Sequence, residues 1–198
     1  MADRVGQQLG HYRLVRLLGS GGFADVYQGV HVYLNRPVAV KVLHVHLVQQ
    51  EFPSFLQEAQ TIARLTHPHI IQVLDFGIEG TPFLVMEYLP LGSLRERHSP
   101  GTRIPLSTIV SYVRQIADAL QHAHDAKVIH RDIKPANALL RTPDQLILSD
   151  FGIAAVAHRT SSLQTLNISG SPAYMSPEQI SGKPRPASDQ YAFRYDGL

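Results

Sequence analysis

Residues 130–137 read HRDIKPAN: an acid, then a lysine two places later and an asparagine five places later. A second acid opens DFG at 150–152, eighteen residues beyond the first. Phosphoryl transfer needs a carboxylate to accept the proton of an attacking hydroxyl, and hard oxygen ligands to hold Mg²⁺ against a triphosphate. Asp132, Asn137 and Asp150 are of the residue types that such chemistry uses. Taken singly, an acid in such a stretch is more often a turn residue or a helix cap.

Two further stretches bear on the same chemistry. LGSGGFADV, residues 18–26, sets Leu18, Gly19, Ser20, Gly21 and Gly22 in a turn between two strand-like runs. Glycines there let backbone N–H groups approach an anion, as a phosphate cradle requires, although a glycine-rich hairpin can be no more than a hairpin. It is not a Walker loop, which has Gly-Lys-Ser/Thr opening a helix, nor a dinucleotide fingerprint, because a strand follows. VAVK ends in Lys41, and Glu58 stands seventeen residues later. A lysine closing an apolar strand is costly to bury unpaired, so an acid on a neighbouring helix suits it, whether the pair is structural or aims the ammonium at phosphate oxygens.

These groups need a scaffold. HYRLVRLL, DVYQGVHV, RPVAVKVL, IIQVLDFG and TPFLVMEYL are short runs rich in Val, Leu and Tyr between turn residues, and predict a five-stranded antiparallel sheet. EFPSFLQEAQTIARL interrupts them with an apolar stripe of Phe52, Phe55, Ala59 and Ile62, which predicts a helix lying on that sheet. After LPLGSL the pattern turns helical. Ile109, Val113, Ile116, Leu120 and Ala123 line one face of a long segment, with Pro105 and Ser107 as start signals. VIHRDIKPANALL and LILSDFG read as short strands joined by polar loops, and 153–177, rich in Ser, Thr and Gly, as a long mobile loop.

Composition narrows the function classes. The 198 residues, 44% of them hydrophobic, suit a globular protein of one domain or two small lobes. A formal net charge of +2 without a basic run gives no footprint for nucleic acid. There is no cysteine, which excludes disulfides and thiolate zinc sites and fits the cytoplasm. No apolar run approaches membrane-spanning length. The eleven histidines do not predict a metal centre: His122 and His124 are two apart on a helix and point apart, and His44 and His46 are expected in an exposed connection.

In order and spacing, GSGGFADV, VAVK, Glu58, MEYLPLGSL, HRDIKPAN, DFG and GSPAYMSPE resemble the protein kinase family, specifically the bacterial Ser/Thr kinases of eukaryotic type. The resemblance spans roughly residues 10–193. It implies an α+β, bilobal fold, with an N-terminal extension at 1–10 and a kinase domain at 11–198. Within that domain, 11–89 would form a small β-sheet lobe with one helix, and 90–198 a mainly helical large lobe. It further implies ATP and Mg²⁺ as cofactors, and Ser or Thr hydroxyls of proteins as acceptors. Asp132 would be the catalytic base and Lys134 would steady the γ-phosphate. Lys41 would contact the α- and β-phosphates, held by Glu58, and Asn137 and Asp150 would bind the metal. The glycine-rich turn would cover the phosphates. Val26, Ala39 and Leu139 would sandwich the adenine, Glu87 and Leu89 would form the hinge, and Met86 the gatekeeper. Arg131 would receive a phosphate added among Thr160, Ser161, Ser162, Thr165 and Ser169.

Two departures from the family pattern bear on these expectations. Ala24 replaces the third glycine of the loop, a small change. After SDQYAF, where Asp189 matches an acid opening a long central helix, the chain reads RYDGL and ends. From this the large lobe is expected to be C-terminally incomplete. Glu178 is expected to lack its arginine, and Asp189 to sit on a helix too short to be stable alone. The corresponding alternative functions are a catalytically impaired nucleotide-binding or interaction module, or a truncated kinase fragment.

Overall fold

The computed structural model describes residues 4–22, 24–44, 52–99, 101–151 and 174–195, apart from the side chains of residues 52, 54, 55, 58, 194 and 195. Its described residues form two compact units: 4–63 with 72–88, and 64–71 with 89–151 and 174–195. The expected loop at 153–177 and its candidate phosphate acceptors lie outside the described residues, except for 174–177. No helix among the described residues is long and apolar enough to cross a membrane.

In the first unit the strands are β1 (Gln8–Leu9), β2 (Tyr12–Ser20), β3 (Ala24–His31), β4 (Pro37–Leu43), β5 (Val73–Glu79) and β6 (Thr81–Glu87). They make one antiparallel sheet in the order β1-β2-β3-β4-β6-β5. Helix α1 (Phe52–Ala63) falls where the stripe predicts and packs on β5, with Ala59 and Ile62 buried. The sheet has six strands rather than five. Strand β1 has only two residues, between turns in which Gly6 and Gly10 take φ of +87° and +56°, and so lacks the length on which a period-2 pattern can register.

Strand β1 is nevertheless built into the core. Leu9 is 1% exposed and joins Tyr12, Leu14, Tyr27, Val40 and Phe83 in one apolar cluster. The N-terminal segment is tied to the β5–β6 hairpin by three hydrogen bonds. Gly10 N–H donates to Glu79 Oε1 at 2.7 Å, Tyr12 Oη to Asp75 Oδ2 at 3.0 Å, and Arg4 Nη2 to Thr81 Oγ1 at 3.2 Å. Burial and the Asp75 carboxylate push the Tyr12 phenol up to about 12. Within this cluster the Phe83 ring lies on Gly77, its cross-strand partner, in the space a Cβ there would occupy.

The second unit is mainly helical: α2 (Leu94–Arg97), α3 (Leu106–Asp125), α4 (Pro177–Ile180) and α5 (Pro186–Tyr195), with a two-stranded ribbon of β7 (Ala138–Thr142) and β8 (Gln145–Leu148). Helix α3 starts after Pro105, which makes no side-chain cap. Ser107 lies one residue inside the helix, past the position from which a hydroxyl caps, so only one of the two expected start signals sits at the boundary. Its buried stripe is Tyr112, Ile116, Ala119, Leu120 and Ala123, while Ile109 and Val113 are half-buried. Segment 64–71 pairs with the ribbon, Ile71 N–H donating to Leu148 O and Leu148 N–H to His69 O, each at 2.9 Å.

Replacing Leu9 by Ala removes a buried side chain from the centre of the first unit and is expected to destabilise it by about 2–5 kcal/mol. Leu34→Ala, on a side chain 70% exposed, should stay within about 0.5 kcal/mol. Urea denaturation of the two variants beside the wild type measures the difference. Equal midpoints would show β1 to be peripheral.

Candidate active site

Asp132 collects two donors on one oxygen. Lys134 Nζ lies 2.7 Å from Asp132 Oδ2, and Asn137 Nδ2 donates to the same oxygen at 2.9 Å and to the Asp132 carbonyl at 2.8 Å. Both acceptors are oxygens without protons, so the orientation of the Asn137 amide is forced. Local sequence builds this cluster. Pro135, with its fixed φ, opens a 3₁₀ turn over Pro135–Asn137, which carries Asn137 back toward Asp132. Ser149 N–H and Oγ donate to the Asn137 carbonyl at 2.8 and 3.0 Å, and Asp150 follows directly with φ +67°. The structure therefore brings Asp132, Lys134 and Asn137 into direct contact, and sets Asp150 one residue beyond a group bonded to Asn137.

The backbone leading into Asp132 hangs from Asp189. The Asp189 carboxylate, 1% exposed, accepts from His130 N–H at 2.9 Å and from Arg131 N–H at 2.8 Å, and lies 2.8 Å from His124 Nε2. His130 is fully buried, with its ring 4.5 Å from that of Phe151. Its Nδ1 faces the Asp132 N–H at 3.3 Å, so the proton resides on Nε2, which donates to Ser149 O at 2.8 Å. Burial holds this imidazole below its ordinary pKa, outweighing the upward pull of Asp189, Asp132 and Asp150.

Two expectations are qualified here. The helix bearing Asp189, ten residues long and expected to be too short to be stable alone, is supported by the unit, in which Ser188, Asp189 and Ala192 are all buried. Glu178 is not left without a partner. Its Oε1 accepts from Ser188 Oγ at 2.9 Å, and its carboxyl is held below the usual range by its own backbone N–H, then Ser188, then Ser176, with Arg185 adding positive charge.

In the first unit, register sorts the remaining candidates onto one face. Val26 pairs with Lys41 and Lys41 with Leu84; Gln28 pairs with Ala39 and Ala39 with Met86. Directly opposed residues share a face and alternate residues repeat it, so Val26, Ala39, Lys41 and Met86 lie on the side opposite Tyr27, Val40 and Val85. Lys41 is 8% exposed among these apolar neighbours. Glu58 falls on α1, but its side chain lies outside the described residues. Leu18, Gly19 and Ser20 close β2, Leu18 being 38% exposed, and Gly21 N–H donates to Ala24 O at 2.9 Å, with Gly22 in the same turn. Glu87 ends β6, its backbone N–H and its Oε1 both bonded to Gln72, each at 3.1 Å. Leu89 and Leu139 belong to the second unit, Leu139 half-buried on β7 opposite Ser93.

A model of the protein kinase domain matches residues 12–193. The chain belongs to the protein kinase domain family. This kinase domain is 39% identical over 192 residues to the DNA damage-responsive serine/threonine-protein kinase RqkA of Deinococcus radiodurans, covering 92% of this chain and 28% of that protein. It is 35% identical over 182 residues to serine/threonine-protein kinase PrkC of Bacillus subtilis, covering 90% and 28%. With serine/threonine-protein kinase PknK of Mycobacterium tuberculosis the identity is 40% over 185 residues, covering 90% and 16%. The chain thus spans less than a third of the length of each of these three relatives. The bilobal α+β class read from the sequence is that of the family.

Sequence reasoning missed several supports of the kinase domain. Ser93 and Glu96 form a capping box on α2, Ser93 N–H donating to Glu96 Oε2 at 2.6 Å, and the S-x-x-E spacing in GSLRE could have announced it. His44 was expected in an exposed connection. Its side chain is only 14% exposed, with Nε2 2.9 Å from Asp25 Oδ2, while Ser20 Oγ donates to the other oxygen. Burial raises the Asp25 carboxyl, but the bond from Ser20 and the adjacent His44 imidazole outweigh it and hold the group low. His122 stacks on His67 at 5.0 Å, whereas His124 turns to Asp189, so the two do serve different partners. His67 is held below its ordinary pKa, first by burial, with His122 and His69 adding like charge against the pull of Asp118.

Asp189→Ala leaves three donors without their acceptor and is expected to cost on the order of 3–5 kcal/mol of stability. His67 and His130 both have folded pKa values below the ordinary 6.5. Their neutral forms therefore favour the fold. The stability they lend is complete above pH 6.5 and is lost as pH falls through the folded values. Urea titrations at pH 7.5 and 5.5 should show a lower midpoint at 5.5, and His67→Gln should shrink the gap. A pH-independent midpoint would contradict this linkage.

Proposed function

We propose that this chain is the catalytic part of a serine/threonine protein kinase, which moves the γ-phosphoryl of ATP to a protein hydroxyl. The observation that carries the reading is Asp132 with Lys134 and Asn137 on a single carboxylate oxygen. Its other oxygen, Oδ1, has no hydrogen bond among the described residues, and is the atom to which a substrate hydroxyl would give its proton. Lys134 would offset charge developing on the phosphoryl oxygens. Its position beside the base favours Ser and Thr acceptors by the resemblance described above.

The donor chemistry at Asn137 and Asp150 fits a divalent cation. With its nitrogen committed to Asp132, the Asn137 amide offers an oxygen, and Asp150 offers a carboxylate, a hard set of the kind Mg²⁺ takes. A bound Mg²⁺ supplies neutralisation of the triphosphate charge. Lys41 would bind the α- and β-phosphates, positioned by Glu58, and the turn at Leu18, Gly19, Ser20, Gly21 and Gly22 would close over them. The apolar face of Val26, Ala39 and Met86, with Leu139, would receive the purine, and the Glu87 and Leu89 backbone would read its edge. In this reading 11–89 serves the nucleotide together with Asn137, Leu139 and Asp150, and the rest of 90–198 serves the acceptor. The protein works in the cytoplasm on protein substrates and without nucleic acid, in keeping with its lack of cysteine and its small net charge.

The test is phosphate transfer from labelled ATP to a generic basic protein, with Asp132→Asn alongside. Transfer that falls by about 10²–10⁴-fold in the variant is the expected result. Nucleotide binding without transfer in the wild type would favour the non-catalytic module, and no nucleotide binding at all would overturn the proposal.

A further inference from the structure

The peptide unit between Arg131 and Asp132 is gripped on both edges. Its N–H, from Asp132, faces His130 Nδ1 at 3.3 Å, and its carbonyl, from Arg131, accepts from Gln179 Nε2 at 2.6 Å. That plane sets the direction in which the Asp132 side chain leaves the backbone. It also adjoins a strained residue, since Arg131 has φ +70°, a region that a side chain with a Cβ enters against a steric cost and keeps only when its surroundings hold it there. Asp189 holds the N–H side of Arg131. On the carbonyl side the hold is Gln179.

Gln179 is itself well placed to act as a fixed donor. It lies on α4, with its backbone N–H bonded to the carbonyl and hydroxyl of Ser176, at 3.0 and 3.3 Å. Ser176 is fully buried. The side chain is thus free of any capping duty, and its amide nitrogen is spent on the Arg131 carbonyl.

We propose that Gln179 is a positioning residue for phosphoryl transfer: by bonding the Arg131 carbonyl, it locks the strained peptide that aims Asp132 at the acceptor hydroxyl. This inference rests on the kinase reading above and adds to it a residue that touches neither nucleotide nor acceptor. A misaimed base slows proton transfer without weakening nucleotide binding, so the rate constant and the Michaelis constant should separate.

The experiment compares the full chain with Gln179→Met, which keeps length and loses the donor, and Gln179→Lys, which keeps a donor. For Gln179→Met, kcat should fall by about ten- to a hundred-fold while KM for ATP stays within about two-fold. Gln179→Lys should regain part of the lost rate. Hydrogen–deuterium exchange across residues 128–137 should quicken in the Met variant. An unchanged kcat with unchanged exchange would overturn the proposal, as would equal loss in kcat and KM that Lys does not relieve. A wild type that transfers no phosphate would refute the kinase reading instead, and unchanged exchange in the Met variant would then still refute the lock.

Discussion

The second unit depends on one buried carboxylate. Asp189 gathers two backbone N–H groups and the edge of His124 in a place almost without water, where leaving any of the three unpaired is expensive. The bond therefore works in both directions. It anchors α5, a ten-residue helix of modest intrinsic stability, and it holds Arg131 in a conformation that a residue with a Cβ enters at a cost. The strain at Arg131 is tolerated because its surroundings fix it from several sides. His130, kept neutral by its burial, extends the hold by spending both ring nitrogens on backbone groups, which joins the peptide before Asp132 to the one before Asp150.

The first unit meets a different demand with different means. Pairing register alone puts an ammonium group and a set of apolar side chains on one side of a sheet whose other side is packed solid. No local turn or cap is needed for this. It follows from period-2 alternation along β3, β4 and β6, and a slip of one residue would exchange the two sides completely. The short β1 and the bonds from Gly10 and Tyr12 to the β5–β6 hairpin keep that sheet from opening at its edge.

The sequence made some of this legible, for identifiable reasons. Asp132, Lys134 and Asn137 could be read together because five residues and one proline-opened turn suffice to bring them into contact. Lys41 could be placed because VAVK lies in an alternating run. The supports were harder to see because they join distant positions. Nothing near Asp189 announces that it will meet residues 58 and 59 positions earlier, and nothing near His67 predicts stacking on His122. Glu178 was assigned a missing arginine because its family role was carried over, while its actual partner, Ser188, stands ten residues away across a turn. Strand β1 escaped notice because two residues have no periodicity.

Consider, finally, Gly77 and Phe83. The aromatic ring occupies the volume where any other residue at 77 would place its first side-chain carbon, and that carbon would collide with the ring unless the buried ring shifted. Over evolutionary time a change at either position alone carries a cost: a larger residue at 77 displaces the benzyl group, and loss of the benzyl group opens a hole that the glycine cannot fill. In descendants of this chain the two sites should change together or not at all.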